Sequence, residues 1–347
     1  MHEPIFYIMS LEVNNINEYI QTVRQDNNYW MVRTMGGAYY EEFVQNGFIA
    51  IGHNDILLRE INSLRGDLKH HVRQLKETVK HHYIDVERPG YIASQLVKFC
   101  EEIKKGDIVL VPGSYSYDIS ICEVTGNVYE ETNVRENAGR CPFMKRIPVR
   151  ILRQTKRVCL PPRAQLMFNS RHPISCINDY AVYLDNTCSD YYNKNEETHL
   201  VLRIETEDSV SVETFYNIQR LFQLAETFCN EIGLEGNSNE VEMKVQMESP
   251  GLLHFISRNK NYLATIGLLI MLINGGGLEI NHGKFHMNLN TPGIIQSCSN
   301  FLDRQEDRGM QGSIRHSLDS LKIKTPEDFQ KAMIEMMKVQ NERRNTY

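Results

Sequence analysis

The hydrophobic pattern in the first half of the chain switches between two periods. Short runs of β-branched and aromatic residues predict strands, whereas apolar residues spaced three and four apart predict helices with one buried face. The predicted strands are residues 29–34, 48–52, 108–111, 118–125 and 146–152, and the predicted helices are residues 39–45, 57–79 and 91–100. Glycine turns separate several of these elements, as at Gly36 and Gly37. This order indicates a compact β-barrel with helices packed outside it.

The second half has longer helices and a separate set of strands. Strands are predicted at residues 198–205, 240–247 and 252–256, and helices at 211–232, from 291 onward and at 326–343. Residues 188–197 are polar and rich in turn formers, which predicts a linker. The expected fold class is therefore α+β, with a strand and helix lead-in at 1–27, a barrel at 28–187, the linker at 188–197 and a C-terminal α+β domain at 198–347.

One apolar segment bears on membrane association. Residues 262–273, YLATIGLLIMLI, are uncharged, but the run is only 12 residues long. A helix that crosses a bilayer needs about 20 such residues. The segment predicts a buried helix, and we expect no membrane partner.

Composition adds limits to this picture. The 347 residues are 41% hydrophobic and 24% charged, as in a globular protein, and the net charge of -6 excludes a surface that is positive overall. The eight cysteines are scattered without a Cys-x-x-Cys pair. Together with an N-terminus that does not resemble a signal peptide, this indicates a reduced, cytoplasmic protein.

Positive charge is concentrated in one region. Residues 135–171 contain ten Lys or Arg and one acid, Glu136. Such a run predicts a phosphate-binding surface, although a solvated basic strand or a face for an acidic partner protein has the same pattern. The candidate phosphate-binding residues are Arg140, Lys145, Arg146, Arg150, Arg153, Lys156 and Arg157.

Aromatic residues lie in or beside the glycine turns of the predicted barrel. Binding of a base requires an aromatic wall, hydrogen bonds to the base edge and positive charge near the phosphate. The candidate base-binding residues are Trp30, Arg33, Tyr39, Tyr40, Ser114, Tyr115, Tyr117 and Asp118. The alternative is that Trp30 fills the barrel core, that the tyrosines support turns, and that Asp118 ends a turn.

These segments carry a family resemblance. Residues 29–52, YWMVRTMGGAYYEEFVQNGFIAIG, and residues 105–126, KGDIVLVPGSYSYDISICEVTG, resemble the N-terminal module of Mrr-like restriction endonucleases. That module belongs to the PUA-like group, which includes the EVE and YTH readers. The resemblance covers residues 28–187 and implies a PUA-like β-barrel with flanking helices that binds a flipped or modified base. It also implies a role in bacterial defence against phage and fusion of the module to an effector, often a nuclease. We expect the C-terminal α+β domain to be an oligomerisation or effector-contact domain.

Two other functions remain open. Glu242 and Lys244 form a Glu-x-Lys tripeptide, which in metal-dependent nucleases supplies a metal ligand and a charge at the phosphate. A divalent metal is expected only on that hypothesis, and otherwise no cofactor. The third function is a sensor of nucleotides or small ligands that signals through oligomer assembly. The expected partners are nucleic acid, with DNA favoured, an effector protein, and further copies of the chain through the C-terminal domain.

Overall fold

The computed structural model describes residues 13–132, 140–246, 251–275, 278–280, 283–285, 293–304 and 308–345. The chain divides into two compact units, which are a middle unit of residues 26–188 and a terminal unit of residues 1–25 together with 189–347. Both combine helices with sheets, so the α+β class expected from the sequence is confirmed.

The lead-in belongs to the terminal unit. Helix α1 covers residues 13–18, and strand β1, Gln21–Thr22, pairs in parallel with Tyr191–Lys194. Val13, Ile16 and Ile20 are buried in the core of the terminal unit. The lead-in was expected to run into the barrel, but its apolar residues pack elsewhere. Most of its predicted strand lies outside the described residues.

The middle unit is built on a curled sheet that forms a half-barrel. Its strands run in the order β3-β7-β5-β4-β2-β8, and β6 pairs with β7. Its elements in chain order are β2 (Tyr29–Val32), α2 (Tyr40–Asn46), β3 (Phe48–Ile51), α3 (Leu58–Asn62), α4 (Leu68–His82), α5 (Pro89–Val97), β4 (Ile108–Pro112), β5 (Asp118–Val124), β6 (Tyr129–Glu130), β7 (Lys145–Lys156), α6 (Pro162–Gln165), β8 (Ile174–Cys176) and α7 (Ala181–Cys188).

Both faces of this sheet are buried, because successive side chains of a strand point to opposite faces. In β2, Trp30 and Val32 pack into one hydrophobic core with residues of α4 and α5, while Tyr29 and Met31 pack into a second core with residues of α6 and α7. The central strands therefore read as continuous apolar runs, as is usual for strands covered on both sides.

The predicted helix at residues 57–79 is two helices in the structure. Gly66 lies between α3 and α4 with a φ of +104°, which a continuing helix cannot contain. Asp67 then caps α4, because its side chain accepts a hydrogen bond from the backbone N–H of His70 at 2.9 Å. The apolar spacing continued across this break, so periodicity alone did not show it.

The terminal unit has a sheet in the order β1-β9-β10-β12-β11, with helices over one face. Its remaining elements are β9 (Tyr191–Lys194), β10 (Glu197–Ile204), α8 (Val212–Glu231), β11 (Glu242–Gln246), β12 (Gly251–Ser257), α9 (Lys260–Ile273), β13 (Leu278–Ile280), β14 (Gly283–Phe285), α10 (Ile294–Arg304), α11 (Arg308–Ser320) and α12 (Glu327–Asn345).

The segment predicted as a linker, residues 188–197, instead contributes strand β9 and the start of β10. Tyr191 and Tyr192 are fully buried, and the two strands are joined by a turn at Asn195 and Glu196, both with positive φ. Residues 188–197 are polar and rich in turn formers because they contain this hairpin turn, and not because they form a solvent-exposed linker.

The apolar run at residues 262–273 lies in α9, which is buried along nearly its whole length. This confirms the predicted buried helix. In the part of the chain that the structure describes, no helix has the length and apolar character needed to cross a membrane.

Candidate functional site

Three loops of the middle unit meet at one end of its sheet. Strands β2 and β4 are parallel, so their C-terminal ends lie at the same edge. Strand β5 begins and β7 ends at that edge, because Asp118 pairs with Lys156 in the antiparallel register. The loops that leave these ends are residues 33–39, 113–117 and 157–169.

Direct contacts hold the three loops together. The Thr34 hydroxyl donates to the carbonyl of Pro112 at 2.6 Å, and the Arg157 backbone N–H donates to the carbonyl of Tyr117 at 2.8 Å. Gly37 lies directly against Ser114. The side chains on these loops therefore have defined positions relative to one another.

Two aromatic side chains project from the middle loop into solvent. Tyr115 is 87% exposed and Tyr117 is 66% exposed, with ring centroids 6.2 Å apart and an angle of 53° between the ring planes. Tyr115 and Ser116 have φ values of +51° and +57°, a conformation that residues other than glycine rarely adopt. A strained turn thus holds two large rings away from the core, where burial would otherwise stabilise them.

Cations flank these rings. The Arg157 guanidinium lies over the ring of Phe168, 4.8 Å from its centroid, and the Arg33 guanidinium donates to the Phe168 carbonyl at 2.8 Å. Burial, and secondarily the charge of Arg157, lowers the pKa of Arg33. Lys156 is exposed at the end of β7. We call this surface the tyrosine rim, defined by Arg33, Met35, Ser114, Tyr115, Tyr117, Asp118, Lys156 and Arg157.

Three aromatic residues predicted to bind a base are not at the rim surface. Trp30 is 4% exposed and its Nε1–H donates to Asp107 at 2.9 Å, while Tyr40 is buried with its hydroxyl 2.8 Å from that of Ser120. Tyr39 is half-buried, edge-on to another ring. The prediction is therefore corrected for Trp30 and Tyr40, which complete the core because each polar atom has a buried partner.

The predicted phosphate-binding residues do not form one surface. The Lys145 side chain is fully buried, and its ammonium donates to the carbonyls of His53 and Ile56, both at 2.8 Å. Burial lowers its pKa. This corrects the prediction for Lys145, whose ammonium instead stabilises the loop between β3 and α3 through these two hydrogen bonds.

Arg146 and Arg150 also have intramolecular partners. The Arg146 guanidinium lies 4.1 Å from the centroid of the Phe48 ring, and Arg150 forms an ion pair with Glu123 at 2.5 Å. Arg140 is exposed but precedes the start of β7, whose 12 residues span about 36 Å. Only the last part of the basic run reaches the rim, with Lys156 and Arg157 on it and Arg153 exposed three residues earlier.

The Glu-x-Lys tripeptide lies on the edge strand β11 of the terminal unit. Glu242 and Lys244 are exposed. Within the described ranges, no three His, Cys, Asp or Glu residues come together in a way that could hold a metal ion. The structure thus brings no metal-ligating set to this tripeptide in the part it describes.

A buried histidine pair in the terminal unit was not anticipated from the sequence. His199 Nδ1 lies 2.9 Å from His254 Nε2, and Tyr192 stacks on His199 with ring centroids 4.5 Å apart. Burial lowers the pKa of His199 to about 4 and that of His254 to about 3. The residues come from three strands, so only the strand order brings them together.

One rim residue, Met35, and one residue behind the rim, Phe168, were also missed. Met35 is exposed with a φ of +51°, and Phe168 contacts both Arg33 and Arg157. No local pattern singles out either residue, because Met35 depends on the conformation of its loop and Phe168 on contacts with two arginines, one of them distant in the chain. Comparison with known proteins identified no matching family model, curated protein or solved structure.

Proposed function

We propose that the middle unit is a PUA-like module that binds nucleic acid through a base displayed outside its stack. The observation that carries this proposal is the tyrosine rim, in which Tyr115 and Tyr117 are held exposed beside Arg157 and Lys156. Exposed rings offer stacking to any base, and flanking cations offer contacts to its phosphates.

The distribution of charge favours an unpaired base, rather than a long duplex, as the ligand. Beside the tyrosines the rim carries Lys156 and Arg157 against one acid, Asp118. Arg33 donates to the carbonyls of Phe168 and Ser170, and Lys145, Arg146 and Arg150 also have partners within the protein. A surface that followed a duplex would need cations spread along it. A base that has been flipped, or that lies in a single strand, requires only a few phosphate contacts near the stacking rings.

The biological setting of this proposal follows the resemblance described above. A base reader of this group, with DNA as the favoured ligand, would act in bacterial anti-phage defence. The terminal unit would then contact an effector or form an oligomer.

Fluorescence anisotropy with labelled oligonucleotides tests it. The full-length chain is titrated with single-stranded DNA, duplex DNA and DNA containing one mismatched or modified base, at 50 and 200 mM salt. Two phosphate contacts, from Lys156 and Arg157, predict that affinity for a single strand falls about sevenfold between these concentrations. Tyr115→Ala removes a stacking ring and is expected to weaken binding at least about fivefold.

A matched control separates this effect from general loss of an exposed tyrosine. Tyr216 is 59% exposed on α8 of the terminal unit, so Tyr216→Ala should leave affinity unchanged. Equal affinities for wild type and Tyr115→Ala, or no binding to any oligonucleotide, would contradict the proposal.

A sensor of free nucleotides is the second function that the rim supports. The small number of cations at the rim is sufficient for a single phosphate group. Titration with a mononucleotide distinguishes the two functions, since a ligand with one phosphate loses far less affinity with salt than an oligonucleotide does. Binding of the mononucleotide as tight as that of the oligonucleotide would favour the sensor.

A further inference from the structure

A polar cavity lies in the terminal unit, between the N-terminal half of α8 and the C-terminal half of α11. Its volume is ≈ 270 Å³. This is just below the usual range of small-molecule sites, about 300–1,000 Å³, so its occupant would be small. The lining residues are Ser209, Val210, Ser211, Glu213, Thr214, Asn217, Ser313, His316, Ser317 and Ser320.

The floor of the cavity contains a polar group that lacks a partner. Thr214, Asn217 and Ser317 are buried, and Asn217 is only 4% exposed. The Asn217 Nδ2 donates to the Ser317 hydroxyl at 2.9 Å, but among the described residues its Oδ1 has no hydrogen-bond partner. A buried acceptor left unsatisfied is costly, so this oxygen is prepared for a donor that the protein does not supply.

The remaining lining defines the chemistry of that donor. Serine and threonine hydroxyls both donate and accept, and a carboxylate, as on Glu213 at the mouth of the cavity, can only accept. Lys and Arg do not occur among the described residues that line the cavity. A phosphate or carboxylate would therefore meet one carboxylate and, among the described lining residues, only His316 as a group that can carry positive charge, whereas a neutral ligand with several hydroxyl groups would match the wall.

The start of α8 is arranged around this cavity. Ser211 caps the helix, with its hydroxyl accepting from the Glu213 backbone N–H at 3.2 Å. Glu213 is exposed at the mouth of the cavity, on the first turn of α8, and Asn217 lies one turn further along the same helix. A carboxylate is a known acceptor for ribose hydroxyls, as in dinucleotide-binding folds.

We propose that this cavity binds a small neutral ligand with adjacent hydroxyl groups, of the ribose type. The Asn217 Oδ1 accepts a hydrogen bond from one ligand hydroxyl at the floor of the cavity. Glu213 accepts hydrogen bonds from ligand hydroxyls at its mouth. The ligand is either a free sugar or the ribose of a nucleoside. The site is in a different unit from the tyrosine rim and does not depend on the proposed function.

Saturation-transfer NMR with the full-length chain tests the proposal. The probes are D-ribose, adenosine and 2-deoxyribose, each titrated to obtain a dissociation constant. Asn217→Leu keeps the size of the side chain and removes the acceptor, so it should weaken binding at least about fivefold. Glu213→Gln, at an exposed position, should weaken it in the same direction without a folding defect, and 2-deoxyribose should bind less tightly than ribose.

Asn230→Leu is the matched control, since Asn230 is exposed on α8 and is not part of the lining. Binding of ribose itself would identify a free sugar as the source, and binding of adenosine alone would identify a nucleoside. Absence of binding by both probes would overturn the proposal and leave water as the occupant. Undiminished binding by both Asn217→Leu and Glu213→Gln would overturn it as well, because the ligand would lie elsewhere.

Discussion

Gly37 lies so close to Ser114 that a Cβ atom on residue 37 would overlap the backbone N, the Cα and the Oγ of Ser114. Gly37 also has a φ of +101°, which L side chains rarely adopt. Glycine is therefore required at this position for two reasons, and both act on the loop that carries Tyr115. The packing of the first glycine turn sets the position of the exposed rings.

Substitution Gly37→Ala tests that relationship. Strain and overlap together are expected to lower the free energy of unfolding by at least about 2 kcal/mol and to weaken oligonucleotide binding. Urea denaturation and anisotropy measure the two effects. Gly36→Ala is the control, because a Cβ there meets nothing within 4 Å. Its cost should be smaller, and equal effects of the two substitutions would show that the contact with Ser114 does not matter.

Asp107 is expected to be a stability residue and not a ligand contact. Its carboxylate accepts hydrogen bonds from Trp30 Nε1 and from the backbone N–H groups of Asn28 and Lys104, at 2.9–3.0 Å. Asp107→Ala leaves these donors unsatisfied and should lower the free energy of unfolding by about 3 kcal/mol or more. Tryptophan fluorescence during urea denaturation reports this directly, since Trp30 is the only tryptophan in the chain. A loss below about 1 kcal/mol would contradict it.

Lys145 and Lys156, at the two ends of β7, should respond oppositely to the same substitution. Lys145→Met leaves two carbonyls without a donor and is expected to cost about 2–5 kcal/mol of stability. Lys156→Met should change the free energy of unfolding by less than about 0.5 kcal/mol, because the side chain is exposed. It should instead lower the affinity for oligonucleotides and make that affinity less dependent on salt. Denaturation and anisotropy on both variants check this, and a stable Lys145→Met protein with reduced binding would reverse the assignment.

The buried histidine pair predicts loss of stability in acid. The folded pKa values, about 4 for His199 and about 3 for His254, lie below the ordinary value of 6.5. The unfolded chain therefore binds more protons between these values, so the free energy of unfolding falls as the pH drops through 6.5 towards 4. Between pH 7 and pH 5 the loss is about 2 kcal/mol for each histidine.

Urea denaturation at pH 7 and pH 5 measures this, with His254→Gln as the comparison. The variant should lose about 2 kcal/mol less than wild type over this interval. Burial, together with the charge of Asp328, raises the pKa of Asp190 to about 6, which contributes the opposite slope. Because Asp190 is present in both proteins, the difference between them isolates the histidine. Equal losses would show that His254 is charged in the folded protein.

The sequence predicted those strands whose buried side chains form a continuous apolar run. Strands β2 and β4 have side chains in a core on each face, so their apolar runs were visible without any knowledge of partners. The same logic identified α8 and the buried α9. Prediction failed at residues 188–197, where Tyr191 and Tyr192 are buried in a strand of otherwise polar composition.

Local periodicity was thus sufficient for the α+β class and for most elements, because a helix or strand must match its own period to bury one face. The exposure of individual aromatic and basic side chains depended on partners far along the chain. Trp30 is held in the core by Asp107, 77 residues away, and Lys145 is held there by carbonyls 89 and 92 residues away. Tyr115 remains in solvent because of a turn with positive φ. Such contacts are made only when strands from distant parts of the chain pair, and no local pattern encodes that pairing.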